Sequence, residues 1–310
     1  MDFTSLIAQS QPGEPAGLLG LIDKLARTQL STIVMVVAAC TVVRILLSLT
    51  VLKPTPIHLR PNGYGIGKFI NEFCDAVIYA GVFVFMVIRP FLIQTFYIPT
   101  GSMVDKLLVN DYIVANKLIY RYTDPERLDI IVFKPPKEGL LDPNADQDYI
   151  KRLIGLPGDT VEIRGGELFI NGKLTEEPYR RYSVDVTPGE PKGKIYRILP
   201  PTEQLMIAKP DFKFVEHKGE LWPVQSFQGQ VNVMNLVAQK YVATDPAEAE
   251  LLLAAPPAKI PAGYYLFMGD NRNNSFDGRS WGLVKRDAIV GRAEAIWMPI
   301  NRLGRLRHGE

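Results

Sequence analysis

Two long apolar runs near the N-terminus limit what this chain can fold into more than any other feature. Ile33 to Leu52 (IVMVVAACTVVRILLSLTVL) is about as long as a helix must be to cross a hydrocarbon core, and Ala76 to Ile93 (AVIYAGVFVFMVIRPFLI) is a second such run. Each holds one arginine, Arg44 inside the first and Arg89 towards the end of the second. A mid-span arginine costs roughly 2.5–3.5 kcal/mol on insertion scales, which Val, Ile and Leu outweigh. Transmembrane α-helices are therefore expected over 31–52 and 73–93, rather than two helices buried in a soluble domain. A cleavable leader is not expected, because mostly polar residues precede the first run and no basic segment opens the chain.

Flanking charge sets the expected orientation. The connector 53–72 holds Lys53, Arg60 and Lys68 against Glu72, whereas the tail 1–30 sets Lys24 and Arg27 against Asp2, Glu14 and Asp23. The positive-inside bias puts the connector in the cytoplasm and residues 94–310 outside. With 310 residues there is room for such an anchor plus one large domain or two small ones. The formal net charge of +2 gives no reason to expect a nucleic-acid partner. Both cysteines, Cys40 and Cys74, precede residue 94, so the C-terminal part can hold no disulfide.

After residue 94 the pattern changes to short β-type runs broken by turn residues. Tyr112 to Tyr120, Asp129 to Phe133, Tyr149 to Ile154 and Ile289 to Trp297 read as strands. Thr160 to Ile170 reads as a hairpin turning at Gly165-Gly166, with a further turn at Asn171-Gly172. Pro and Gly are dense from Thr187 to Gly263, so 174–262 is expected to be an inserted subdomain. The fold class expected is a mainly β domain behind two N-terminal transmembrane helices.

Histidine is too scarce to organise chemistry. His58 falls in the connector, His217 in the insertion and His308 in the C-terminal tail, and none accompanies a well-framed serine. No zinc-ligand spacing, P-loop, G-x-G-x-x-G or G-x-S-x-G pattern occurs, so neither metal nor cofactor is expected. What remains is a serine activated by another base. Ser102 sits in Ile98-Pro99-Thr100-Gly101-Ser102-Met103, where Pro99 and Gly101 bracket a sharp turn just after the second run. Lys151 is the candidate base, on Asp148-Tyr149-Ile150-Lys151-Arg152-Leu153-Ile154. A lysine titrating near its usual value of about 10.4 must be depressed by about 2–3 units to serve near neutrality, and burial away from carboxylates is the route. Strand alternation puts Tyr149, Lys151 and Leu153 on one inward face and points Arg152 to solvent. Read singly, both residues have plainer accounts: a serine filling a turn, and a surface lysine with an apolar stem.

Taken together, the motifs resemble the type I signal peptidases. Tyr97 to Met103 is similar to their nucleophile block, and Arg127 to Lys134 to the strand that follows. Asp148 to Arg152 with Gly155-Leu156-Pro157-Gly158-Asp159 is similar to the general-base block. Gly269 to Arg279 with Trp281-Gly282 is similar to the last signature block, with Val290-Gly291-Arg292 behind it. The resemblance implies Ser102 as nucleophile and Lys151 as general base. It implies an oxyanion hole made by the Ser102 backbone N–H and the Thr100 hydroxyl, and a lysine-orienting role for Ser275. Asp277 and Arg279 would be a supporting ion pair. Shallow substrate pockets would involve Ile98, Pro99, Met103, Leu107, Tyr149 and Ile150. The implied partner is a signal-peptide-bearing preprotein, bound as an extended strand and cut after an Ala-X-Ala-like site. The implied location is the bacterial inner membrane, multi-pass and in contact with lipid, with the catalytic domain on the periplasmic face.

Three positions depart from the pattern. Val104-Asp105-Lys106-Leu107 stands where one residue and Pro-Thr-Leu is usual, Leu128 where Gly is common, and Asn273 where Asp is common. Two rivals are a self-cleaving repressor with the same dyad, disfavoured by the apolar runs, and a non-catalytic membrane-tethered β-domain for binding or assembly, disfavoured by intact Ser102, Lys151 and Ser275.

Overall fold

The computed structural model describes residues 30–52, 63–83, 93–140, 147–187, 195–231 and 239–309, with backbone alone for 30–33 and 93. The chain forms two compact units, Ser10–Gln94 and, in the main, Thr95–Glu310.

The first unit holds helices α1 (Leu30–Thr50) and α2 (Tyr64–Phe83). α1 coincides with the first apolar run. α2 is offset from the expected 73–93: it begins at Tyr64, inside the stretch read as a connector, and residues 84–92, including Arg89, lie outside the described residues. The helix takes in polar Asn71, Glu72 and Asp75 with one-turn partners: Asn71 Nδ2 donates to Asp75 at 3.4 Å and Lys68 lies 3.7 Å from Glu72. The helices pack antiparallel, Gly67 against Val51 and Gly81 against Val37. Arg44 Nε lies 2.7 Å from Asp75 Oδ1, so the mid-run arginine has a carboxylate partner on the other helix. Among the described residues no helix is long and apolar enough to cross a membrane.

The second unit is mainly β. In chain order its strands are β1 (Ile93–Tyr97), β2 (Tyr112–Asn116), β3 (Ile130–Phe133), β4 (Tyr149–Gly155), β5 (Val161–Arg164), β6 (Glu167–Ile170), β7 (Lys173–Thr175) and β8 (Ser183–Asp185). There follow β9 (Tyr196–Ile198), β10 (Asp211–His217), β11 (Glu220–Phe227), β12 (Gln230–Val231), β13 (Tyr264–Met268), β14 (Val284–Lys285), β15 (Ile289–Met298) and β16 (Gly304–Arg305). One sheet runs β1-β2-β15-β3-β4-β13-β14 with β16 on β15, the other runs β12-β11-β10-β5-β6-β7, and β8 pairs with β9.

The expected hairpin is present: β5 and β6 pair Arg164 with Glu167 across Gly165 and Gly166, both at positive φ. The run 112–120 is not one strand. It stops at Asn116, whose Oδ1 accepts from the N–H groups of Leu118 and Ile119 and turns the chain into a short helix, Ile119–Tyr122. The stretch 174–262 is not folded off by itself either. Its β10 pairs with β5 at Phe212–Ile163 and Lys213–Glu162, and Phe212 and Phe214 join Ile154, Ile163, Leu266 and Met268 in one core.

β4 is covered on both faces from Lys151 to Gly155, which corrects the outward placement of Arg152. Arg152 is fully buried. Its Nε and Nη2 donate to the two oxygens of Asp270 at 2.8 and 2.6 Å, its Nη1 to the carbonyls of Leu128 and His308, and its guanidinium lies 4.2 Å from the Tyr179 ring centre. Period-two alternation assumes one wet face, and this strand has none. Removing one member of such a pair strands the other in the core. Arg152→Met is expected to destabilise the full-length chain by about 3–5 kcal/mol in urea titrations, and Arg152→Met with Asp270→Leu to recover much of that loss.

Candidate active site

Three segments of the first sheet converge on one point. The β1–β2 loop carries Thr100 and Ser102, β4 carries Lys151, and the segment after β13 carries Ser275 and Asp277 in a loop and Arg279 in the short helix Gly278–Trp281 that Asp277 caps. β13 is the antiparallel neighbour of β4, with Met268 opposite Arg152, so Gly269 follows on level with Lys151.

Lys151 Nζ lies 2.7 Å from Ser102 Oγ and donates to the Ile150 carbonyl at 3.0 Å. Both side chains are buried, and burial brings the lysine down to about 8. Asp277 and Asp270 pull the other way. Neither carboxylate touches the amine, and each is engaged elsewhere: Asp270 with Arg152, and Asp277 with Arg279 at 2.9 Å. Burial alone would push the Asp277 carboxyl up, but Arg279 and the Gly269 N–H hold it below its ordinary value. The two ion pairs thus keep the nearest negative charges matched, and desolvation dominates at Lys151.

Thr100 Oγ1 lies 3.4 Å from Ser102 Oγ, on an exposed residue. Ser275 does not make the hydrogen bond to Lys151 that the family resemblance implies. Its buried Oγ turns towards the Asp277 carboxylate, helping to hold that group's pKa down, and it rests against the Cα of Gly269. A side chain at Gly269 would collide with Ser275 on one side and the Ser102 carbonyl on the other. Of the six pocket candidates, Ile98, Met103 and Leu107 are buried in one apolar cluster, and Ile150 packs against it. Pro99 is exposed. Tyr149 belongs to a different cluster with Phe133 and Trp281, its hydroxyl donating to the Gly139 carbonyl, while its ring centre lies 5.6 Å from Lys151 Nζ.

Sequence reasoning missed the residues that come from elsewhere in the chain. The Tyr196 ring lies on the Cα of Gly101, where a side chain would overlap it. Asp105, one of the departures from the family pattern, is ion-paired with Arg181 at 3.2 Å. Asn273, another, accepts from the Ser183 N–H at 3.0 Å and donates to the Ser183 carbonyl at 2.8 Å, and an aspartate could not make the second bond. Leu128, the third, has a φ of 74°, a conformation in which a glycine would be unstrained. Tyr196, Arg181 and Ser183 all lie in the 174–262 stretch, and nothing in its composition signals contact with Gly101, Asp105 or Asn271. The described histidines stand apart: His217 pairs with Glu248, and His308 accepts from the Ile130 N–H. His58 lies outside the described residues.

The family model described as Signal peptidase, peptidase S26 matches residues 70–298. The signal peptidase I of Leptolyngbya laminosa is 33% identical over 221 residues, 71% of this chain and 75% of its own. That of Aquifex aeolicus is 34% identical over 227 residues, covering 68% and 77%, and that of Pseudomonas fluorescens is 32% identical over 242, covering 70% and 69%. A solved signal peptidase I from Enterococcus faecalis is 25% identical and covers 55% of this chain and 97% of its own, with a TM-score of 0.28, too low to compare the folds. The chain belongs to peptidase family S26, the signal peptidases, and is a serine endopeptidase that removes signal peptides.

Proposed function

We propose that Ser102 is the nucleophile and Lys151 the general base of this reaction. The observation that carries the reading is the 2.7 Å approach of Lys151 Nζ to Ser102 Oγ with both groups buried. The neutral amine takes the Ser102 proton as Oγ attacks the scissile carbonyl carbon, and the carbonyl oxygen becomes an oxyanion. The Ser102 N–H and the Thr100 hydroxyl donate to that oxygen. Collapse of the intermediate breaks the C–N bond, and the Lys151 ammonium gives its proton to the departing amine. A water then loses a proton to Lys151 and cleaves the acyl ester, freeing the carboxylate and the Ser102 hydroxyl. Ile98, Met103, Leu107 and Ile150 form an apolar bed beside the serine that suits small side chains such as those of an Ala-X-Ala end. Ser275, resting on Gly269 beside the Ser102 carbonyl, supports the nucleophile loop.

We also propose that the N-terminal segments anchor the enzyme in a bacterial inner membrane, with residues 94–310 outside. Large apolar side chains line the outer faces of α1 and α2, among them Val34, Met35, Leu46, Ile66, Phe69 and Phe73. Exposed in such numbers they suit lipid better than water, and Asp75 beside Arg44 lowers the cost of a charge at that depth.

Two outcomes are expected. Lys151→Arg is as inactive as Lys151→Ala, each lowering kcat/KM by roughly 10²–10⁴-fold, because guanidinium keeps its proton. In the wild type, kcat/KM rises with pH through an apparent pKa near 8, since deprotonation creates the base. A surface lysine would give near-normal turnover with arginine, which rejects the dyad.

Lys151 lies below its ordinary value in the folded protein, so folding must expel or bury a proton. That cost is fully present below about 8 and disappears as pH rises through 10.5, the value of the free side chain. Lys151→Met is accordingly expected to stabilise the chain at pH 7, by about 3 kcal/mol at most, with the gain fading in melting curves recorded towards pH 10.5. For topology, protease added to spheroplasts should digest the large domain and spare the connector, and protection of the large domain would overturn the orientation.

A further inference from the structure

The backbone of Ser102 is held as closely as its side chain, and by a residue that no motif reading assigns. The N–H proposed above as an oxyanion donor belongs to the peptide unit that joins Gly101 to Ser102. The carbonyl of that same unit accepts from Asn271 Nδ2 at 2.8 Å. The backbone N–H of Asn271 donates to the next carbonyl, that of Ser102, at 3.1 Å. One asparagine, fully buried, therefore fixes the peptide planes on both sides of the serine.

The amide of Asn271 is itself oriented. Asn271 Nδ2 donates to the Ser183 hydroxyl oxygen at 2.8 Å, and that hydroxyl in turn donates to Asn271 Oδ1 at 3.1 Å. Exchanging Nδ2 and Oδ1 would set an amide oxygen against the Gly101 carbonyl oxygen. Ser183 is fully buried on β8, where Asn273 brackets its backbone and Asn274 Nδ2 donates to its carbonyl at 2.6 Å.

We infer that Asn271 is a positioning residue of the oxyanion hole, and that Ser183, from the 174–262 stretch, anchors its amide in place. Two effects act together. A carbonyl that accepts a hydrogen bond polarises its peptide unit and makes the N–H at the other end a stronger donor. Fixing the plane also keeps that N–H aimed at the point where negative charge develops, so little reorganisation is needed during reaction. The inference rests on Ser102 being the nucleophile.

The test compares wild type, Asn271→Asp, Ser183→Ala and Ser183→Thr in cleavage of a preprotein. Asn271→Asp keeps the shape but places an oxygen where the donor stood, and kcat is expected to fall about tenfold to a hundredfold, short of losing a whole donor. KM should stay within about twofold, since ground-state binding is untouched. A peptide aldehyde, whose adduct with Ser102 carries the oxyanion, should lose affinity by a factor similar to the fall in kcat. A reduced-amide peptide, which has no such oxygen, should bind as before. Ser183→Ala should show the same pattern in weaker form, and Ser183→Thr, which keeps the hydroxyl, should restore activity. Equal losses for both inhibitors, or a raised KM at unchanged kcat, would overturn the inference and leave Asn271 a packing residue. Should Asn271→Asp fail to fold, Ser183→Ala with the two inhibitors decides the question alone. Activity surviving in Ser102→Ala would reject the underlying dyad instead, whereas an active wild type, an inactive Ser102→Ala and unaffected Asn271 and Ser183 variants would reject only the positioning role.

Discussion

An ammonium group buried as deeply as that of Lys151 must find a carboxylate or be ready to give up its proton. The surroundings offer it a hydroxyl and a carbonyl oxygen and keep carboxylates out of contact. Two carboxylates are nevertheless close enough to act through space, and each is tied to an arginine, Asp270 to Arg152 and Asp277 to Arg279. These ion pairs would be poor investments if judged by stability alone, because desolvation offsets most of the attraction in a buried pair. Their placement makes sense as control of the potential at one amine. Arg152 and Arg279 thereby limit the field of two carboxylates that would otherwise keep Lys151 charged.

The region that looks dispensable from its composition is bound into the site at several levels. β10 and β11 extend the second sheet, and Phe212 and Phe214 fill the core beneath Leu266 and Met268. Nearer the chemistry, Arg181 holds Asp105, Tyr196 covers Gly101, and Ser183 reaches Asn271. Asp105 and Asn273, which depart from the family pattern, both make their bonds to this stretch. The unusual residues near Ser102 thus take their partners from the stretch 174–262.

Much of this was legible in the sequence where the signal was local. Pro99 and Gly101 around Ser102, alternation through Lys151 and Leu153, and the Gly165-Gly166 turn each follow from short-range backbone rules. Alternation misplaces Arg152 because it gives the face of a strand and says nothing about whether that face is wet. The strand pattern overruns to Tyr120 because Asn116 is competent in a strand until its side chain captures two backbone N–H groups. Asn271 and Ser183 were invisible as a pair, since nothing in a single sequence relates positions so far apart.

Gly269 has a consequence of another kind. Its missing side chain is the space through which Ser275 and the Ser102 backbone come together, and a single methyl group would fill it. The exposed turns of this protein can vary their sequence gradually, each step being nearly neutral. Position 269 offers no such gradient, because its smallest possible change already separates two parts of the site. Divergence in this lineage is therefore expected to flow around that point, reshaping what the enzyme recognises while the spacing between its two signature loops stays fixed.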